Sequence, residues 1–267
     1  DYVEEALKKG AVIVISDDTR FANSKEEKII YVKDTVLALA KISSNIIKDF
    51  DGEVIAITGS NGKTTTTNII SKTLKHSSST IENFNNEIGM PLSVLNASPK
   101  AKQLVLEIGA SKFKDIDYLS KILNPHIGVI TNIGNSHLEQ LKNIKGVLKV
   151  KSEIIKNIKS NGFLVVPNEN KKYLDYWKKI RRDIKIITFG MSKDADFYAS
   201  KIKIKHNGTN FHIVSKFIDE PIQIKTSFEG IHNIKNILAS CVTNFCLNKK
   251  LNGFAKSLNS NEFKNTR

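Results

Sequence analysis

The chain has 267 residues, 40% of them apolar, enough to bury a real core in one large domain or two small ones. No run of about eighteen apolar residues occurs, so no membrane-spanning helix is expected, and the acidic start Asp1-Tyr-Val-Glu-Glu5 lacks the basic region of a targeting segment. The net charge of +14 does not point to nucleic acid: of 41 basic residues only Arg20, Arg181, Arg182 and Arg267 are arginine, and the lysines are dispersed among isoleucines and asparagines, although nucleotide-like polyanions remain compatible.

In chain order, Val3 to Leu7 reads as a helix, and Ala11-Val-Ile-Val-Ile15 and Lys28-Ile-Ile-Tyr-Val32 read as short strands. Asp34-Thr35 caps a helix that runs through Leu37, Leu39, Ile42 and Ile46. The apolar run Val54-Ile55-Ala56-Ile57 breaks into Gly59-Ser60-Asn61-Gly62-Lys63-Thr64-Thr65, and Asn68 to Leu74 follows at helical spacing. Strand candidates come next at Gln103–Ile108, Ile127–Thr131, Gly162–Val166 and Lys185–Phe189, with helical stretches between them. Continuously apolar strands separated by helices predict the α/β class, a mostly parallel sheet covered on both faces. From Asp196 to Thr226 the pattern alternates, with Asn207-Gly208 at a turn, which predicts small antiparallel hairpins on the sheet edge. A last helix spans about Asn233 to Leu247 and carries both cysteines, Cys241 and Cys246, which build neither a disulfide framework nor a metal cluster and fit a reducing cytoplasm. No internal repeat or low-complexity linker is visible.

The stretch around Gly59 has the chemistry of a phosphate cradle. Gly59 and Gly62 let successive N–H groups point inward, the following helix adds the positive end of its dipole, Lys63 reaches the outer phosphates, and the Thr64 hydroxyl suits Mg²⁺. The usual loop is Gly-x-x-x-x-Gly-Lys-[Ser/Thr], but Ile57 stands where its first glycine belongs, so common kinase and GTPase loops fit poorly. A plain threonine-capped helix start is the bland alternative, disfavoured by the strand before it and the helix after it.

Ligands of such sheets sit beyond the carboxyl ends of the strands. Glu107 lies at one such end, and a carboxylate in an apolar strand is costly unless it is paired or holds a cation. Asn132 and His137 follow another, so Glu107 and His137 are candidates for holding a second divalent ion, against the alternative of a lone surface histidine. Lys151 borders the apolar stripe Val147, Val150, Ile154 and Ile158; it is either a snorkelling lysine or a partly buried amine able to react with CO₂.

Four motifs in register then resemble the Mur ligases, which add amino acids to the peptidoglycan precursor using ATP. They are Thr58-Gly-Ser-Asn-Gly-Lys-Thr-Thr65, Asn83-Phe-Asn85-Asn86-Glu-Ile-Gly89-Met-Pro91-Leu, Leu106-Glu107-Ile-Gly-Ala110, and Glu229-Gly-Ile-His232-Asn233-Ile-Lys-Asn236-Ile-Leu-Ala239. The motif that begins at Asn83 is most similar to that of the members that join D-alanyl-D-alanine to a UDP-linked muramoyl tripeptide. The resemblance implies ATP as substrate and two Mg²⁺ ions, with Lys63 on the γ-phosphate, Thr64 on the first ion, Glu107 as metal-binding glutamate and His137 on the other ion. It further implies a carbamylated Lys151, Asn233 on the adenine side, and Asn85 and Asn86 facing the UDP-linked substrate. The expected enzyme is a monomer in the bacterial cytoplasm that works through an acyl phosphate.

Compared with the three domains of that family, residues 1–33 look like the last part of the first domain and residues 34–267 like the central ATP-binding one, with the third absent from this sequence. This chain alone is therefore expected to turn over poorly, since lid closure completes many sites. Other ligases of the superfamily, of the folylpolyglutamate or cyanophycin synthetase type, and a non-catalytic nucleotide-binding module remain alternatives, with a phosphate-loop kinase behind them.

Overall fold

The computed structural model describes residues 2–136, 138–206, 208–248, 251 and 253–258. It opens with α1 (Tyr2–Lys8), β1 (Val14–Ser16), β2 (Ile29–Tyr31) and α2 (Thr35–Asp49), followed by β3 (Glu53–Thr58), α3 (Lys63–Thr73), β4 (Ser77–Ser79), α4 (Gly89–Leu95) and β5 (Gln103–Glu107). Next come α5 (Asp115–Leu123), β6 (Ile127–Ile130), α6 (Leu138–Leu141), α7 (Ile144–Lys151), β7 (Phe163–Pro167), α8 (Lys171–Ile180) and β8 (Lys185–Gly190). The chain continues through β9 (Phe197–Lys205), β10 (Gly208–Ser215), β11 (Ile222–Thr226), α9 (Ile231–Asn248) and α10 (Phe254–Leu258).

Nine strands form one sheet in the order β11-β10-β9-β8-β7-β6-β3-β5-β4. Pairing is parallel from β4 across to β9 and antiparallel from β9 to β11, so the hairpins lie at the edge, as the alternating pattern predicts. Asn207 of the expected turn lies outside the described residues; Lys205 pairs directly with Gly208. Strands β1 and β2 pair in parallel as a separate two-stranded sheet.

The unbroken apolar character of the central strands follows from two cores. Successive side chains of a strand point to opposite faces. Val54 and Ala56 of β3 join the core under α2, α4, α5, α7 and α8, whereas Ile55 and Ile57 join the one under α3 and α9. Both faces are covered, so neither set is polar.

Three local features differ from expectation. In α2, Leu37 and Ile46 are exposed, and the buried face is Ala40, Ser43 and Ile47. Small residues there permit close approach to α4, sealed by Ser43 Oγ donating to Pro91 O at 3.3 Å. Strand β4 is three serines without an apolar signal; as an edge it is specified by its backbone pairing to β5. The amphipathic helix expected over Val147–Ile155 stops at Lys151 and tightens into a 3₁₀ turn over Ser152–Asn157.

Trp177, the only tryptophan, is fully buried in the first core, and its Nε1 donates to Ser152 Oγ at 2.8 Å, which ties α8 to the 3₁₀ turn. Trp177→Ala is expected to lower the unfolding free energy by about 3–5 kcal/mol in urea denaturation followed by circular dichroism. A loss below about 1 kcal/mol would show that the site collapses around the gap.

Candidate nucleotide and metal site

The site is built where β3, β5 and β6 end side by side. Strand β3 ends at Thr58, and α3 begins at Lys63 with Gly62 as its N-cap, which offers no side-chain oxygen to the first turn. The early amides of α3 therefore have no partner within the helix, an arrangement that suits an anion. Gly62 has φ +78°, and a Cβ there would stand 2.3 Å from Asn236 Oδ1 of α9. Gly59 has φ +152°, and its Cβ would stand 1.9 Å from Thr131 Oγ1. Both glycines are required by conformation and by close approach. Lys63 Nζ donates to Gly59 O at 3.2 Å and curls over the loop.

The segment after β6 grips this loop. Asn132 Oδ1 accepts from Ser60 N and Asn61 N, each at 3.0 Å, and Asn132 O accepts from Ser60 N at 3.3 Å. Thr131 Oγ1 donates to Asn61 O at 2.6 Å. Ser60 Oγ donates to Gly134 O and accepts from Gly134 N, each at 2.9 Å, and Ser136 Oγ donates to it at 3.0 Å.

Glu107, at the end of β5, is only 2% exposed. Its Oε2 accepts from Thr64 Oγ1 at 2.8 Å, its Oε1 accepts from Asn85 Nδ2 at 2.6 Å, and its N–H donates to Thr80 Oγ1 at 2.6 Å. A buried carboxylate with neutral donors and no ion-pair partner among the described residues suits a hard divalent cation, and the adjacent Thr64 hydroxyl adds a further oxygen. Among the described residues no three His, Cys, Asp or Glu side chains group to hold a metal, and His137 lies outside them. Asn85 thus serves Glu107 directly. Asn86 caps α4, its Oδ1 accepting from Gly89 N at 2.8 Å and Ile88 N at 3.2 Å.

Lys151, the last residue of α7, is 1% exposed, far more buried than its position beside the apolar stripe suggests. Burial, with the Lys63 ammonium next in weight, brings its pKa from 10.5 down to about 8, against the pull of Asp115, Glu153 and Glu107. Lys151 lines the same cleft of about 720 Å³ as Lys63, Asn85, Asn86, Gly109 and Tyr118. Glu153, two residues on, is buried, and its carboxylate accepts from Lys114 N at 3.0 Å and Asp117 N at 3.2 Å, capping α5. Asn233 sits in the first turn of α9; its Nδ2 donates to Glu229 O at 2.9 Å and its Oδ1 accepts from Asn236 Nδ2 at 3.3 Å. Asn236, to which sequence reasoning assigns no role, thereby links Asn233 to Gly62.

Two outcomes follow from this geometry. Gly62→Ala must adopt a left-handed backbone and displace the Asn236 side chain, so it is expected to cost about 1–3 kcal/mol of stability in thermal or urea melts. Unchanged melting would mean that the loop has another conformation. Lys151 has a folded pKa below its unfolded value, so its charge opposes folding fully below pH 8, and this cost fades between pH 8 and 10.5. In CO₂-free buffer Lys151→Met is expected to raise stability at pH 7 by at most about 3 kcal/mol, with the gain shrinking towards pH 10.5. A pH-independent difference would contradict the burial argument.

The description of a Mur ligase middle domain matches residues 57–244. The chain is 37% identical over 250 residues to the UDP-N-acetylmuramoyl-tripeptide–D-alanyl-D-alanine ligase of Buchnera aphidicola subsp. Baizongia pistaciae, covering 92% of this chain and 54% of that protein. It is 33% identical over 242 residues to the Bacillus subtilis enzyme of the same name, with coverages of 90% and 51%. Among solved structures it resembles MurF from Acinetobacter baumannii, with a TM-score of 0.87 at 27% identity over 97% of this chain and 56% of that one. MurF from Thermotoga maritima in complex with ADP gives a TM-score of 0.84 at 30% identity, with coverages of 97% and 59%. The chain spans about half the length of the curated relatives it matches. With the phosphate loop, the buried glutamate and the buried lysine meeting at one end of the sheet, and the family description matching from β3 into α9, this chain belongs to the Mur ligase family.

Proposed function

We propose that this chain is the ATP-binding centre of a ligase that joins D-alanyl-D-alanine to a UDP-linked muramoyl tripeptide in peptidoglycan synthesis. The observation that carries this reading is the 2.8 Å hydrogen bond from Thr64, at the start of α3, to the buried Glu107, which supports a nucleotide phosphate and its metal ion at this end of the sheet. The names of the relatives support the substrates, and the ADP complex of the Thermotoga maritima relative supports the nucleotide. Residues 34–267 form the central domain in this reading, and residues 1–33, whose strands make their own small sheet, belong to the domain that holds the UDP moiety.

The α3 amides and the Lys63 ammonium would hold the phosphates and neutralise charge on the γ-phosphoryl oxygens as they develop it. Thr64 and Glu107 would hold Mg²⁺, which supplies further neutralisation of those oxygens when bound. The substrate carboxylate attacks the γ-phosphorus and ADP leaves; the dipeptide amine then adds to the acyl phosphate and expels phosphate. With a pKa of about 8, roughly a quarter of Lys151 is the free amine at pH 7.5. That amine could add to CO₂ and release a proton, and the resulting carbamate anion, with His137, would then be able to hold a second Mg²⁺. Asn233 stands on the adenine side.

Phosphate release by the protein that carries this chain is expected only when ATP, Mg²⁺, the UDP-linked tripeptide and D-alanyl-D-alanine are all present. Release supported instead by a folate and glutamate would move the assignment to another branch of the family. Lys63→Ala is expected to weaken MgADP binding at least tenfold by calorimetry, roughly the loss of one charge-assisted contact. Carbon-13 NMR in labelled bicarbonate is expected to show a carbamate resonance that Lys151→Met abolishes; its absence in the parent chain would remove the carbamate from the scheme.

A further inference from the structure

We propose that Asn132 is a positioning residue of the phosphate loop, one whose amide oxygen permanently occupies the Ser60 and Asn61 amides and leaves the nucleotide phosphates to Gly62, Lys63, Thr64 and Thr65. The proposal rests on the nucleotide reading above and divides the loop into a clamped half and a binding half.

The clamped half is tied down at nearly every polar atom. Ser60 N and Asn61 N both end on Asn132 Oδ1 at 3.0 Å, Asn61 O accepts from Thr131 Oγ1 at 2.6 Å, and the Ser60 hydroxyl is enclosed by Gly134 and Ser136. Gly59 admits no Cβ because Thr131 Oγ1 fills that space. The backbone amides of the binding half have no such partners among the described residues, although the Lys63 and Thr64 side chains bond Gly59 O and Glu107. Gly62 gives α3 no side-chain cap, and the first helical bond of this turn, Thr66 N to Gly62 O at 2.9 Å, begins only beyond Thr65. Free amides at a helix start are the groups a phosphate recognises, whereas amides already bonded to a neutral carbonyl gain less from it.

This division answers the shortened motif. Ile57 stands where the first glycine of a full-length loop belongs, and it is fully buried in the core under α3 and α9, so the backbone cannot turn there. A loop with fewer freely turning residues needs an outside template, and the Thr131–Asn132 segment supplies one. Asn132 touches no phosphate in this scheme; it acts through the loop.

The test uses amide hydrogen exchange followed by NMR on the wild-type chain with and without MgADP, together with calorimetry of Asn132→Ala. The Ser60 and Asn61 amides are expected to be protected before ADP is added and to stay so, while Lys63, Thr64 and Thr65 gain protection and shift. Asn132→Ala is expected to weaken ADP binding about tenfold, the order expected for two lost hydrogen bonds, and to leave adenosine binding within about twofold. Ser60 and Asn61 amides that become protected only when ADP binds would overturn the proposal, as would an Asn132→Ala chain that binds ADP as tightly as the parent. Equal losses for ADP and adenosine would also overturn it, because a general loosening of the fold does not distinguish phosphates. If Asn132→Ala does not fold, the wild-type exchange pattern alone decides. A wild-type chain that binds no ADP removes the nucleotide reading itself, which is a different result.

Discussion

The start of helix α3 sets the constraint around which this molecule is organised. Its first amides have no acceptor inside the helix, and Gly62 brings no side chain to serve them. The parallel sheet places this helix start beside the ends of β5 and β6, its neighbours on either side of β3. Each neighbour contributes one thing. Strand β5 ends in a carboxylate that meets Thr64, and β6 runs into a segment that grips Ser60 and Asn61. Because parallel strands all present the same end to the same side, three loops far apart in sequence converge without long connections.

The same convergence concentrates charge where a folding chain would avoid it. Glu107 and Lys151 are both nearly inaccessible, and neither finds an ion-pair partner among the described residues. Lys151 instead yields part of its affinity for a proton, because burial and the nearby Lys63 both disfavour the ammonium. An apolar side chain would pack there at lower cost, so packing alone does not account for a lysine in the cleft. The carboxylate of Glu153 is also buried, yet it has two backbone donors at the start of α5, and its role is structural capping in a segment that the lysine shares.

The order of elements was legible because strands buried on both faces are unbroken apolar runs, as in Val54 to Ile57 or Leu104 to Leu106, and such runs are hard to mistake. Faces were less legible. Leucines and isoleucines in α2 suggest one buried stripe, but contact with α4 selects Ala40 and Ser43, whose small size no periodicity rewards. Strand β4, three serines, carries no hydrophobic signal at all, since an edge strand is recruited by backbone bonds. At the site, Glu107 and Lys63 stood out because their chemistry conflicts with their surroundings. Asn132 and Asn236 are ordinary polar residues after a strand and in a helix. Their importance is a matter of distance to the loop backbone, which only the fold specifies.

The displaced glycine joins these observations. With Ile57 committed to the core, the turn has to be made between Gly59 and Gly62, and both positions are crowded by side chains from other elements, Thr131 on one side and Asn236 on the other. The loop is therefore shaped by what surrounds it more than by its own freedom. A crowded loop loses little conformational entropy when a ligand arrives, because that entropy was already lost on folding. Rigidity in the loop transfers the burden of adaptation to the segments that hold it. The one after β6 bonds the loop at Ser60 and Asn61 from Thr131, Asn132, Gly134 and Ser136, so the shape of the loop depends on that segment as much as on the glycines.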